Sequence, residues 1–396
     1  METLKSILVI NGPNLNLLGT RQPEIYGGLD LKSLDQLCFK WGSAHGYAVT
    51  TYQSNHEGEI IDRIHDARGK VSGIVLNAGA YTHTSYAIHD ALAGIDIPTV
   101  EVHISNVQER EAWIRHSAIG PACAHTIYGR GVEGYKHAIG HLATELTLPG
   151  LTISYGSHDD QLGDLRTPDT PGPHPVMVLI HGGFWKEHWT RDLMGPIALD
   201  LAYRDYATWN IEYRRVDGEG GWPETFFDIA SAVDKLAELA GDHQLDLSDV
   251  SFLGHSAGGQ LALWAAGRKN LSSTHVGADP LIRPRRVFAL APVSDLAAAQ
   301  AAGLGDHAVD PLMSGAPSHT EIYRNLSPIE MLPLGVDQVI VHGDADKAVP
   351  LSMSESYVRA AIALGDTVDF AQLTDIAHMD LIDPHGPAWV EVSAAL

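Results

Sequence analysis

Gly254-His255-Ser256-Ala257-Gly258 lies between an apolar run, VSFL, and the helix-like stretch GQLALWAAG. Glycines on both sides of a serine suit a turn too tight for side chains, one that lifts the hydroxyl above a sheet as a nucleophile. A serine attacks a carbonyl only with a base to take its proton and donors to hold the oxyanion that forms. His181-Gly182-Gly183 follows VMVLI directly, and its small residues let backbone N–H groups reach such an oxyanion, with the Ala257 N–H as a further donor. His378, in a loop after DFAQL, is the candidate base. His342-Gly343-Asp344-Ala345-Asp346 offers a carboxylate to orient it, Asp344 competing with Asp346 for that part. The chemistry these residues suit is acyl transfer to water.

A second set of chemistry-bearing residues occupies the first 150 positions. Asn11-Gly12-Pro13-Asn14 follows the apolar run ILVI, at the strand end where ligands gather in open α/β sheets. The glycines are not spaced as GxGxxG, so a dinucleotide site is not indicated. Arg21 and Tyr26 share a Gly/Pro-bounded loop, GTRQPEIYGG. A phenol titrates near ~10 and acts as a base at neutral pH only where a cation such as arginine favours phenolate. Asn77, His83 and the run Glu101-Val102-His103-Ile104-Ser105-Asn106 sit at further strand ends. Glu101 and His103 are two apart and share one face of an extended strand, so the carboxylate can orient and charge the imidazole.

Stepping from residues to elements, the first half alternates short apolar runs (residues 7–10, 48–52, 73–76 and 99–102) with helical spacing over 31–45, 58–67, 85–93 and 134–146. This predicts a parallel sheet covered by helices on both faces. A Gly/Pro/Asp/Ser-rich stretch over 147–175 follows, and the boundary falls near Pro149–Gly150, giving domains 1–147 and 148–396. Alternation then resumes, with strands expected at 176–180, 207–211, 250–253, 287–290 and 338–341 and helices at 226–240 and 259–267. The fold class is α/β, as two doubly wound domains.

The formal charge of −23 excludes a non-specific nucleic-acid binder, because phosphates need a positive footprint. Two cysteines, Cys38 and Cys123, cannot make a disulfide framework and are expected as free thiols in a reducing compartment. No metal motif surrounds them. The chain shows neither a signal-peptide run nor ~20 uninterrupted apolar residues, so the expected address is the cytoplasm, away from membranes.

With these residues in view, the first part resembles type II 3-dehydroquinate dehydratase. GPNLNLLGTRQPEIYG, LNAGAYTHTS, IHDA and EVHISN are motifs of that family, in order, over residues 5–146. The resemblance implies a flavodoxin-like sheet, a site free of metal and cofactor, and trimers gathered into a dodecamer. It implies that Tyr26, with Arg21 beside it, takes the C2 proton of the ring ketone. Asn14 holds a water on the enolate, and His103, oriented by Glu101, protonates the departing hydroxyl. Asn77, His83 and the backbone of Ile104 and Ser105 bind substrate, and Asp90 reaches a neighbouring subunit's site. One departure stands out: Ile114 occupies the place of an arginine that contacts substrate in the family, leaving Arg115 as the candidate replacement.

Residues from about 150 onward resemble the arylformamidase and carboxylesterase branch of the α/β-hydrolases, whose HGGxW appears as His181-Gly182-Gly183-Phe184-Trp185. That likeness implies Ser256 as nucleophile, His378 as general acid/base and Asp346 as its carboxylate, with Gly182, Gly183 and Ala257 as the oxyanion hole. Trp185, Trp189 and Trp222 are candidate pocket residues or packing residues. The interrupted stretch 295–332 is a candidate cap over the site. The expected function is bifunctional: dehydration of 3-dehydroquinate, plus hydrolysis of an ester of a quinate- or shikimate-type acid. Two other readings make the hydrolase an arylformamidase acting on N-formylkynurenine, or the first domain mainly an assembly platform for the hydrolase.

Overall fold

In a computed structural model of the chain, the described residues are 5–20, 28–107, 110–111, 115–314 and 319–396, and for 319–322 the backbone alone. They divide into two compact units, Met1–Pro149 and Gly150–Leu396.

The first unit is built on five strands, β1 (Ser6–Asn11), β2 (Ala48–Gln53), β3 (Gly73–Asn77), β4 (Thr99–His103) and β5 (His125–Tyr128). They run in the order β2-β1-β3-β4-β5, all parallel. The period of two along β1 explains why its apolar run is unbroken. Ile7 and Val9 enter one core with Leu34, Cys38 and Ile139, while Leu8 and Ile10 enter the opposite one with Ile60, Ile64 and Ile88. Helices Leu31–Ala44 and Glu133–Thr147 supply the first face, and Glu57–Asp66 and Tyr86–Ala93 the second. Two of them start where the sequence offers a side-chain cap. Asp30 accepts from the Ser33 amide (2.8 Å) and Ser85 from that of Ile88 (2.9 Å).

The second unit holds eight strands: β6 (Leu151–Ser154), β7 (Leu162–Arg166), β8 (His174–Ile180), β9 (Ala207–Ile211), β10 (Leu245–His255), β11 (Arg286–Leu290), β12 (Asp337–Gly343) and β13 (Val368–Leu373). Their order is β13-β12-β11-β10-β8-β9-β7-β6. Six are parallel; β7 runs antiparallel to β9, and β6 to β7. The sheet is therefore mixed, with a hairpin edge of which the sequence signals β6 weakly, at residues 151–155, and β7 not at all. Along β8, Val176, Val178 and Ile180 face a core shared with Phe226, Leu261 and Trp264, whereas Met177 and Leu179 face Ile197, Leu201 and Trp389. The one helix expected over 226–240 is two, Glu224–Asp234 and Leu236–His243. No helix among the described residues is long and apolar enough to cross a membrane.

Candidate active sites

In the first unit the strand ends of β1, β3 and β4 open onto a cleft of about 250 Å³. Asn14, Asn77, His83, His103, Ile104 and Ser105 line it, together with Gly79 and Arg110. The turn after β1 is pressed against the end of β3: a Cβ on Gly12 would lie 2.6 Å from the Ala78 carbonyl oxygen, so only glycine fits. Asn14 adopts a left-handed φ of 67° beyond it, and its amide donates to Asn55 Oδ1 (3.0 Å).

The centre of the cleft is a carboxylate–imidazole pair. His103 Nε2 donates to Glu101 Oε1 (2.8 Å), and Glu101 is wholly buried. Three hydroxyls also donate to that carboxylate: Thr82 at 3.0 Å, Ser117 at 3.0 Å to each oxygen, and Thr126 at 3.3 Å. Burial pushes the Glu101 carboxyl up, but the bond and charge of His103 and the bonds from Ser117 and Thr82 outweigh it and hold it below its ordinary value. An ionised carboxylate fixed in this way keeps a proton on Nε2 and holds the ring in one orientation.

Two further groups are oriented just as firmly. Asn77 Nδ2 donates to Tyr135 Oη (2.9 Å), its Oδ1 accepts from the Gly79 amide (3.2 Å), and Tyr135 in turn donates to Asn11 Oδ1 (2.6 Å). Burial pushes the Tyr135 phenol well up, so it stays a donor. His83 Nδ1 faces the His116 carbonyl at 2.8 Å and must be the donor there, which leaves Nε2 as an acceptor.

Not every expected residue falls in this cleft. Arg115 is exposed and its Nε donates to the Arg110 carbonyl (2.7 Å); Arg110, which the sequence reading passed over, is the cation that lines the cleft. Asp90 lies apart from the lining residues, 83% exposed and paired with His89 at 3.1 Å. Arg21, Tyr26 and Ile114 lie outside the described residues.

In the second unit Ser256 stands between β10 and helix Ala257–Gly267 with φ 58° and ψ −120°. Few side-chain-bearing residues accept that conformation, and the close packing of the turn holds it there. A Cβ on Gly258 would lie 2.1 Å from the Ile180 carbonyl oxygen, and one on Gly182 would lie 2.9 Å from Ser256 Cβ. The loop after β8 is thus in contact with the serine turn. It is anchored from below: His181 Nε2 donates to buried Glu212 Oε1 (2.7 Å), and Arg215 pairs with the same carboxylate. Burial pushes Glu212 up, yet Arg215 and His181 hold it far below its usual range.

Asp346, not Asp344, carries the histidine. His378 Nδ1 donates to Asp346 Oδ2 at 2.6 Å, while Asp344 accepts from the Asp375 amide (2.7 Å). Asp346 Oδ1 takes the amides of Ala348 (2.8 Å) and Val349 (2.9 Å). Burial pushes its carboxyl up, and the bonds from His342 and His378 drive it far below the usual range. Ser256 Oγ is buried with no hydrogen-bond partner, so its bond to the imidazole is not made in this structure. Trp185 is a packing residue, wholly buried with Nε1 donating to Gln260 (3.2 Å). The stretch between β11 and β12 forms short helices and reaches the loop after β8, where a Cβ on Gly305 would meet the Phe184 ring at 2.4 Å.

Fold and site together define a two-unit protein: a parallel five-stranded α/β unit with a carboxylate–imidazole pair in its cleft, joined to a mixed-sheet α/β unit with a serine in a tight turn and a second carboxylate–imidazole pair. The Dehydroquinase class II family matches residues 5–143, and the family described as BD-FAE matches residues 164–360. A catabolic 3-dehydroquinase of Talaromyces marneffei is 47% identical over 177 residues, covering 45% of this chain and 99% of that protein. Another from Aspergillus oryzae is 57% identical over 139 residues, 35% of this chain and 91% of that protein. The chain belongs, through its first unit, to the type II dehydroquinase family. Its second unit is similar to the crystal structure of esterase B from Lactobacillus rhamnosis, with TM-score 0.54, 19% identity, and coverage of 62% of this chain and 82% of that one. At that identity the likeness shows the α/β-hydrolase fold. The chain accordingly joins a dehydroquinase unit, a lyase, to a unit of the α/β-hydrolase fold.

Proposed function

We propose that the first unit dehydrates 3-dehydroquinate to 3-dehydroshikimate and that the second hydrolyses a carboxylic ester of a quinate- or shikimate-type acid. The observation that carries this reading is the same in both units: a buried carboxylate holding a histidine at the carboxyl edge of a parallel sheet, Glu101–His103 and Asp346–His378. In the first, Tyr26, its phenolate favoured by Arg21, takes the C2 proton, and an enolate forms on the C3 oxygen over a water held by Asn14. His103 gives its proton to the C1 hydroxyl, which leaves as water. Asn77, His83 and the Ile104 and Ser105 backbone hold the ring. A neighbouring chain's Asp90 completes the site, so the active form is a closed dodecamer in the cytoplasm.

In the second unit, Ser256 Oγ adds to the ester carbonyl as His378 takes its proton. The oxyanion is met by amides of Gly182, Gly183 and Ala257, and collapse expels the alcohol with the proton from His378. Water repeats the sequence and frees the acid. The relatives' printed name, catabolic 3-dehydroquinase, supports a degradative direction in which freed quinate feeds the first unit after oxidation of a ring hydroxyl. A panel of 3-dehydroquinate, p-nitrophenyl esters, chlorogenate and N-formylkynurenine tests the reading, with Ser256→Ala as control. That variant should lose ester hydrolysis by ~10⁴-fold or more while keeping dehydration, because nucleophile and base act as a unit. Hydrolysis within tenfold of wild type would refute the triad. Turnover of N-formylkynurenine in preference to chlorogenate would refute the substrate class.

A further inference from the structure

Asp346 holds two histidines, and the triad uses only one. His342, at the end of β12 and wholly buried, directs Nε2 at the Val349 carbonyl (3.0 Å) and at Asp346 Oδ2 (3.3 Å), the oxygen that His378 also approaches. Both neighbours of Nε2 are acceptors, so Nε2 carries the proton. On the other side Nδ1 lies 2.8 Å from Ser354 Oγ, on helix Leu351–Ala363, and that hydroxyl is likewise wholly buried. Nε2 is therefore the donor toward these acceptors, and Ser354 Oγ fixes the ring from its other edge. The packing that surrounds it leaves no other role for its polar edge.

We propose that His342 is a positioning residue of the hydrolase centre: with its ring fixed by Ser354, it directs its Nε2–H at Asp346 Oδ2 beside His378 and limits how tightly that carboxylate binds the catalytic imidazole. This inference rests on the reading of Asp346 and His378 as base and carboxylate. The distances fit the division of labour, since the 2.6 Å bond goes to the histidine that must become charged and the longer 3.3 Å approach comes from the one the triad does not use. Two histidines on one oxygen share its electron density, so removing the second N–H makes Oδ2 a stronger partner for His378 as imidazolium. Other ionisable groups facing the pair are His255, whose ring lies 4.4 Å from that of His378 and whose Nε2 donates to the His378 carbonyl (3.0 Å), and Asp380, which accepts from the Ala377 amide (2.9 Å). Burial and the neighbouring His378 keep His255 neutral, so it adds no competing charge. Neither group bonds to Asp346.

The sign of the effect separates positioning from packing. Loss of the His342 donor stabilises protonated His378, and protonated His378 cannot take the serine's proton. The acidic limb of kcat/KM for p-nitrophenyl butyrate should therefore move to higher pH in His342→Leu, by ~0.5–1 unit, the size of one net neutral hydrogen bond. His342→Gln, which keeps an N–H donor, should return the limb most of the way to wild type. Ser354→Ala, which releases the ring's other edge but leaves the ring, should move it in the same direction by a smaller step. A limb that stays in place or moves to lower pH in folded His342→Leu overturns the proposal. If that variant does not fold, an unmoved limb in Ser354→Ala overturns it instead. These outcomes are distinct from failure of the triad reading, in which Ser256→Ala would keep hydrolysing the ester.

Discussion

At the scale of single residues, the two centres share a device, a carboxylate denied to water and saturated with donors. Glu101 carries one imidazole and three hydroxyls, and Asp346 two imidazoles and two amides. Such saturation replaces hydration and keeps the charge in place while the histidine changes state. Glu101→Gln presents an amide NH₂ to groups that all donate, so the dehydratase kcat should fall by ~10²-fold or more, the scale of general acid catalysis. The same substitution has a pH signature in stability. The folded carboxyl of Glu101 lies below its ordinary value, so its contribution is fully present above ~4.3 and is lost as pH falls through the folded value. Melting temperatures of the first unit's transition, measured from pH 6 down to pH 3, should therefore drop less steeply in Glu101→Gln. An equal slope would mean that Glu101 is not held ionised by its neighbours. The Glu101–His103 pair was legible because extended backbone sets residues two apart on one face. Arg110 was not, because nothing in its spacing distinguishes it from Arg115; which of two arginines enters the cleft depends on the path of the loop.

At the scale of elements, apolar runs flanked by glycine and proline announced the central strands, since a strand buried on both faces is apolar at every position. Two strands escaped the same logic. β7 reads LGDLR, and its Asp164 and Arg166 are buried; Asp164 is matched by Arg191 at 2.7 Å, so charge is paired inside and the sequence looks like a loop. β5, HTIY, is short and half-buried, with one apolar residue fully inside. The catalytic segments, by contrast, were visible because close approach leaves a glycine signature. Gly182 illustrates the cost of breaking it: its Cβ would sit 2.6 Å from the His255 carbonyl oxygen. Gly182→Ala should push the oxyanion loop off the serine turn and lower kcat for p-nitrophenyl esters by ~10²–10³-fold, as loss of an oxyanion donor does, with KM changed much less. A KM-only effect would mean that the loop binds substrate but does not meet the oxyanion.

At the scale of the molecule, the dodecamer inferred for the first unit makes a measurable demand. Asp90, exposed in the single chain, serves catalysis only if a neighbour's cleft receives it. Light scattering should give a mass near twelve chains of 42.7 kDa, and dilution that breaks the particle should abolish dehydration while sparing ester hydrolysis. Full dehydratase turnover by a monomer would contradict it. The junction between the units has a consequence of another kind. Only Leu148, Pro149 and Gly150 separate helix Glu133–Thr147 from β6, at most ~10 Å of chain. One message thus delivers both catalysts in a ratio of one to one, in every cell and under every promoter. A separate pair of genes could balance the two activities by expressing more of the slower enzyme. Here any imbalance has to be absorbed by the turnover numbers themselves, so selection on flux acts on the two centres jointly.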